Sequence, residues 1–463
     1  MPTLKLGNDA LLTLPTRITT PSIHIQKDGD HWYVPLFSGS KGAVVQSGDY
    51  NYTLGGLNVG IYRAAIGREE AVVNIYVFSS YNTTWILTSK GDLYGCGSGS
   101  YGQQGSGGSG DGSDVLVFTK RASNVKTVSC SIYTTWYIDN NNNLYGCGKN
   151  DIGQQGSGNT SNVLTFTKRA ENVKEVSCSY RTTWYIDNNN NLYGCGSNEY
   201  GQQGVGTSGN VLTFTKRAEN VKDFKCSENT TWYIDNNNDL YGCGANYRGH
   251  QGTGNTSDVK TFTKRASNVK KFSCSMETTW YVDNNNNLYG CGSSGCGQQG
   301  SGDTSNVLTF TKRAENVKTV SCSDYTTWYI DNNNNLYGCG YNDYGQQGSG
   351  GSPYYVKTFT IRASNVKEVS CSYRTTWYID NNNNLYGCGG SDYGQQGAGD
   401  TSNVRTFTKR AENVKEVSCS YQTTWYIDNN NNLYGCGLNY YGNQGSGTSG
   451  YSTSVKTFTK RDL

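Results

Sequence analysis

Sixteen cysteines, three histidines and a recurring Asp-Asn-Asn-Asn run are the residues of this 463-residue chain whose types suit chemistry. Thiolates and imidazoles bind zinc, but a zinc site wants closely spaced ligands of the CxxC kind. These cysteines form two evenly spread sets. One precedes a tryptophan by six residues (Cys130, Cys178, Cys226, Cys274, Cys322, Cys371, Cys419). The other lies in Gly-Cys-Gly (Cys96, Cys147, Cys195, Cys243, Cys291, Cys339, Cys388, Cys436), and Cys296 is an extra. Obligate pairing between the sets would orphan Cys96, because Ser79 stands where its partner should be. Small buried free thiols packing in a core are the favoured reading, with disulfides as the alternative. His24, His31 and His250 share no motif with Ser or Asp, and acids such as Asp139, Asp187 and Asp235 recur evenly. An active site needs one asymmetric constellation of nucleophile and base, paired carboxylates or a metal. A non-enzyme with no cofactor and no metal is expected. The Asp-Asn run offers hard oxygens for calcium. Gly91, however, stands in the first copy where Asn142 stands in the second, and Gly or Asn marks a left-handed turn position.

A different group of residues suits recognition. Two short stretches change from copy to copy of an otherwise constant sequence. The one before Thr-Thr-Trp supplies Tyr81, Tyr133, Tyr180, Arg181, Tyr325, Tyr373, Arg374 and Tyr421. The one after Gly-Cys-Gly supplies Asp151, Glu199, Tyr200, Tyr247, Arg248, Tyr341, Tyr344, Tyr440 and Tyr441. Tyr and Arg dominate binding hot spots, and Tyr with Asn and Ser is the palette of antibody paratopes. A third variable stretch, Asn159-Thr-Ser-Asn162 and its equivalents, stays mostly small and polar, as tolerated loops do. These seventeen residues are the candidate ligand-binding set.

The elements that position them are set by repetition. Trp85, Trp136, Trp184, Trp232, Trp280, Trp328, Trp377 and Trp425 are 51, 48, 48, 48, 48, 49 and 48 residues apart. A fixed period in this range means an array of small units. In the third copy Val173–Ser179 alternates apolar and polar as a strand does. Thr182–Ile186, Leu192–Gly196 and Val211–Thr215 are three more strands, with a turn at Asp187–Asn191. Four short antiparallel strands per unit make a β-propeller blade. In such a blade the loops from strand one to two and from three to four leave the same face. The varied residues are therefore expected on one rim, opposite a monotonous face of Asn turns and Lys-Arg-Ala-Glu-Asn connections.

The phrase Leu192-Tyr-Gly-Cys-Gly-Ser-Asn-Glu-Tyr-Gly201-Gln202-Gln203-Gly204 resembles the signature of the regulator of chromosome condensation repeats, and it recurs in all eight units across residues 72–463. The resemblance implies a β-propeller, usually of seven blades. Eight complete units favour eight, with seven as the alternative. The family commonly has Leu at Gln203, Trp at Cys195, and Gly-His before the second strand, where this chain differs. Its best-known activity is nucleotide exchange on a small GTPase, with chromatin binding beside it. No long insertion here matches a wedge facing a GTPase.

The bulk figures agree with an all-β protein. There are 59 glycines and 37 tyrosines against 12 phenylalanines and 2 methionines, a turn-rich and aromatic composition. A net charge of +3 does not favour nucleic acid. No run of about 18 apolar residues suits a membrane span, and Met1–Thr20 lacks the layout of a Sec signal peptide. Residues 1–71 share no repeat and read as a small β module for an assembly partner or a homo-oligomer axis. The segment Ile23–Leu36 resembles short β modules that head phage tail-associated proteins. The expectation is a recognition or adhesion protein with a protein or glycan surface receptor, placed on a virion or cell exterior. The alternatives are a cytoplasmic scaffold or GTPase regulator, and a structural spacer.

Overall fold

The computed structural model describes residues 73–110, 112–350, 353–420 and 422–462, together with the backbone of six strands before them. The chain divides into two compact units, Met1–Val73 and Asn74–Leu463. In the first, Thr3–Leu6 pairs with Ala10–Thr13. Gln26–Asp28, His31–Tyr33, Leu57–Ala65 and Asp49–Leu54 form a second sheet in that order. Ile23–Ile25, the start of the segment that resembles short β modules, lies outside the described residues.

The second unit is an eight-bladed β-propeller of four-stranded antiparallel blades, each built from four consecutive strands. Blade 1 is Ile75–Ser79, Thr83–Thr88, Leu93–Gly97 and Val115–Ala122. Blade 3 is Val173–Cys178, Thr182–Asp187, Leu192–Gly196 and Val211–Ala218. Blade 8 is Val414–Cys419, Thr423–Asp428, Leu433–Gly437 and Val455–Arg461. The fourth strand outruns the expected Val211–Thr215 and ends at Ala218, because two register shifts let it follow the third strand past its bend.

Each apolar cluster lies between two blades rather than within one. Trp136, Ile138 and Leu144 of blade 2 pack on Val173, Val176 and Tyr185 of blade 3, with Phe214 against them. The Trp136 and Phe214 rings meet edge to face at 5.7 Å, a favoured aromatic geometry. The same cluster joins blade 8 to blade 1 through Trp425, Ile427, Leu433, Ile75, Val77 and Phe118. The ring is thus closed by side-chain packing and by loops. Gly158 N donates to Leu212 O of the next blade at 2.9 Å, and Gly447 N to Leu116 O across the seam at 2.8 Å. First strands touch first strands all the way round, which puts them at the axis.

The repeated small residues explain themselves in this packing. Trp184 is paired with Gly194 in the neighbouring strand. A Cβ on Gly194 would strike the indole and come within 2.6 Å of Gln203 Oε1. Gln203 Nε2 donates to Cys195 O at 2.9 Å, so the second Gln of Gly-Gln-Gln-Gly satisfies a buried carbonyl. Asn142 and its six equivalents through Asn431 all sit near φ 62, and Gly91 near 82, which is the left-handed turn the sequence implied.

The cysteines are free thiols. The Gly-Cys-Gly set is fully buried, and each thiol donates to a backbone carbonyl of the preceding blade, as Cys195 Sγ does to Gln154 O at 3.5 Å. Burial pushes these thiols up from their ordinary range, so they resist ionisation. The other set is half-buried and packs against the edges of the inter-blade clusters, as Cys178 does against the one that holds Trp136. Ser129 Oγ lies 3.4 Å from Cys178 Sγ and Ser177 Oγ 3.5 Å from Cys226 Sγ, each across a blade boundary.

Overpacking a tight site typically costs about 1–3 kcal/mol. Gly194→Ala should lower the unfolding midpoint accordingly, while Gly295→Ala, where nothing lies within 4 Å, should leave it unchanged. Denaturant unfolding of the two variants checks this.

Candidate functional site

The loops between strands one and two and between strands three and four share one face, and the varied residues meet there across blade boundaries. Three clusters result. In the first, Tyr101, Tyr133 and Tyr180 of blades 1 to 3 form a chain of ring contacts at 4.8 and 5.1 Å. Lys149 Nζ lies 5.2 Å from the Tyr101 ring and 4.9 Å from that of Tyr133, and pairs with Asp151 at 2.9 Å. Burial and the neighbouring Tyr180 push the Tyr133 phenol up to about 12. Burial alone would raise Asp151, but hydrogen bonds from Lys149 and Gln154 outweigh it and hold the carboxyl low.

Beside this chain lies a cleft of about 410 Å³ between blades 3 and 4, lined by Tyr180, Arg181, Tyr200, Glu228 and Asn229. Arg181 stacks over Tyr180 at 5.4 Å and reaches Glu199 at 3.4 Å. Burial raises the Glu228 carboxyl, Asp324 adds to this, and Arg181 opposes it. Next to the cleft, Arg248 reaches Glu277 at 3.6 Å, and Tyr247 is 40% exposed.

The second cluster joins blades 6 and 7. Tyr325 contacts Tyr373 at 5.1 Å and Tyr341 at 6.1 Å, and Tyr341 contacts Tyr344 at 6.0 Å. Arg374 lies over Tyr344 at 4.4 Å and pairs with Asp392 at 2.6 Å. The third cluster is in blade 8, where Tyr440 touches Tyr441 at 4.7 Å and Tyr451 at 4.4 Å. Tyr81 is half-buried in its blade 1 loop, and Tyr421 lies outside the described residues.

Several members of these clusters are absent from the candidate set. Tyr101 and Tyr393 occupy the register of Tyr200 and Tyr344 in their own copies and were legible there. Tyr355, Tyr393 and Tyr451 join through contacts with Tyr341 at 5.9 Å, with Tyr451 at 6.1 Å and with Tyr440 respectively. Tyr355 and Tyr451 belong to the third loop region, whose mostly small and polar composition gave way in blades 6 and 8. Among the described residues no group of three or more His, Cys, Asp or Glu could hold a metal ion.

His250 is the exception within the rim framework. It replaces the first Gln of the turn, a position where Gln202 Oε1 accepts Tyr200 N at 2.9 Å. His250 is fully buried, and neither ring nitrogen meets a partner at full hydrogen-bond geometry, though the Ala245 backbone approaches the ring. Burial holds its imidazole down to about 4.

The Regulator of chromosome condensation (RCC1) repeat profile matches residues 173–202 and 317–346, the first three strands and the following turn of blades 3 and 6. Those two segments match the repeat that the sequence resemblance pointed to. Solved structures share the fold at low identity. Human WBSCR16 is 16% identical, with a TM-score of 0.57 over 71% of this chain and 96% of that one. Prp20p from Saccharomyces cerevisiae, described with its binding properties to Gsp1p and histones, is 15% identical, with a TM-score of 0.55 over 81% and 87%. Yeast RCC1 (Prp20) in a structure with Kap60 gives 14%, 0.54, 85% and 85%. No curated protein matches the chain.

His250→Gln should raise the unfolding midpoint, since an amide restores the turn's hydrogen bond. The depressed imidazole stays neutral in the fold while the unfolded chain takes up a proton below about 6.5. Its contribution is therefore whole above that pH and lost as pH falls toward about 4. Thermal unfolding of the two proteins across pH 4 to 7, roughly the window of that titration, should show the variant's advantage growing on the acid side.

Proposed function

We propose that the protein is a non-enzymatic binding protein that grips a protein partner with its varied face. The carrying observation is that tyrosines and arginines from different blades are gathered into shared ring and cation contacts on that face. Large rigid aromatics with a guanidinium supply contact area at low entropic cost. The cleft between blades 3 and 4 gives such a partner a place to anchor one side chain. Residues 1–71 are proposed as the module that attaches the propeller to a larger assembly.

The fold likeness to yeast Prp20p, described as binding Gsp1p and histones, supports a protein rather than a small-molecule partner. A regulator of a small GTPase is the second reading that this likeness favours. The rim loops of this chain are of similar length in every blade, and none projects as a wedge would. A glycan receptor on a cell or virion surface is the third reading, and it belongs to the outcomes of the test.

Full-length protein and a variant with Tyr133, Tyr180, Arg181 and Tyr200 changed to Ser should be compared for binding to whole cells, to cell-surface protein extracts and to a glycan array. Loss of roughly tenfold or more in the variant, at an unchanged unfolding midpoint, is expected for protein ligands. Equal binding by both proteins would contradict the proposal, and loss confined to glycans would replace the partner class.

A further inference from the structure

The face opposite the varied rim carries two rings of lysine with different neighbours. In the outer ring, on the fourth strands, six lysines are paired with acids and, among the described residues, Lys460 of blade 8 is not. Lys168 reaches Glu171, Lys312 reaches Glu315 and Lys409 reaches Glu412, each at 2.6 Å. Lys120 reaches Asp92 and Lys264 reaches Asp239, each at 2.7 Å. The inner ring is Lys126, Lys174, Lys222, Lys270, Lys318, Lys367 and Lys415, on the first strands that surround the axis. Each inner Nζ donates to the side-chain oxygen of the left-handed Asn in its own blade, from Lys222 to Asn238 at 2.8 Å to Lys415 to Asn431 at 3.1 Å. Among the described residues none of the seven is in an ion pair with an acid. The amide takes up a donor and leaves the charge in place.

A backbone irregularity puts each lysine there. In seven blades the first strand has a register shift, as between Val173 and Glu175, and the unpaired residue inside it is the lysine. Blade 1 pairs Ile75 with Thr88 and Tyr76 with Leu87 without a shift, and its first strand has no lysine. A bulge adds a residue and re-aims its side chain. The chain spends seven bulges in its innermost strands, and the residue re-aimed is Lys every time. The next position along the axis holds Glu175, Asp223, Glu368 and Glu416, with Lys271 a further cation and Thr127 and Thr319 neutral. At these two positions eight ammonium groups stand against four carboxylates, while the seven Asp side chains that open the turns, from Asp139 to Asp428, are taken up by the turns' own amides.

We propose that this ring binds a compact anion of the polyphosphate class at the mouth of the propeller axis. Lysine presents a compact charge with rotatable donors and suits phosphate as a point charge, where a planar carboxylate would favour the fork of arginine. The Asn side chains add donors, since their Nδ2 groups meet no acceptor among the described residues. The lysines stand on strands that meet around one axis, unlike a stripe that would track an extended chain.

The test is titration of inorganic tripolyphosphate into the full chain. One variant has Lys174, Lys222, Lys270 and Lys318 changed to Gln. A control loses the same charge from the outer ring, with Lys168, Lys216, Lys312 and Lys409 changed to Gln. Wild type and control should bind within about threefold of each other, more weakly as salt rises, and the inner variant roughly tenfold or more weaker. If four inner changes unfold the chain, the single changes Lys222→Gln and Lys318→Gln should each weaken binding while the single outer changes do not. No binding by wild type, equal loss in both variants, or equally tight binding of poly-glutamate would overturn the proposal.

Discussion

The edge-to-face contact of one blade's tryptophan with the next blade's phenylalanine is the interaction on which the rest of the propeller depends. It recurs from Trp85 with Phe166 to Trp425 with Phe118, so the last contact is also the one that shuts the ring. No blade has an apolar core of its own, and each buries its indole only against a neighbour. Removing a buried Trp side chain costs about 3–5 kcal/mol, so an open array would leave one such face unpaired at its end. The glycine beneath each indole, the buried thiol and the Gln amide beside it are the residues this packing tolerates. Their sameness around the ring follows from one contact being made eight times.

Closure divides the surface into two faces with different constraints. On one, the Asn turns and the Lys-Arg-Ala connections hold the left-handed corners that join blade to blade, and those corners admit little beyond Asn or Gly. On the other, the loops need only satisfy the backbone of the turn beneath them, which the first Gln does from inside. Their outward residues are released from the fold, and there the tyrosines and arginines accumulate. The axis belongs to neither face. It is lined by first strands whose Ser and Cys side chains touch between blades and whose bulges present lysine at one mouth.

Much of this was legible in the sequence. The tryptophan spacing set the number of blades, the alternation in Val173–Cys178 set the innermost strand, and the exchange of Gly91 for Asn142 identified a left-handed turn. What escaped depends on neighbours in space. The half-burial of Cys178 and its equivalents reflects their place at the edge of an inter-blade cluster, which strand periodicity does not report. The bulge at Lys174 is a pairing property of two strands, and its signal, the missing residue in blade 1, emerges only once Ile75 is set against Thr88. Tyr355 and Tyr451 lay in loops that are small and polar elsewhere, and only their contacts with Tyr341 and Tyr440 bring them to the rim. His250 reads as an ordinary exchange for Gln until its two nitrogens are seen to lack a partner at full hydrogen-bond geometry.

Hydrogen exchange on the full chain tests the closed ring most directly. Cooperative units open together, whereas the units of an open repeat array fray from its ends. The account predicts that amides of the second and third strands in blades 1 and 8 exchange as slowly as those of blades 4 and 5, because the Trp425–Phe118 seam is equivalent to every other junction. Protection that falls progressively toward blades 1 and 8 would contradict it, and would leave both the rim and the axial ring without the frame that assembles them.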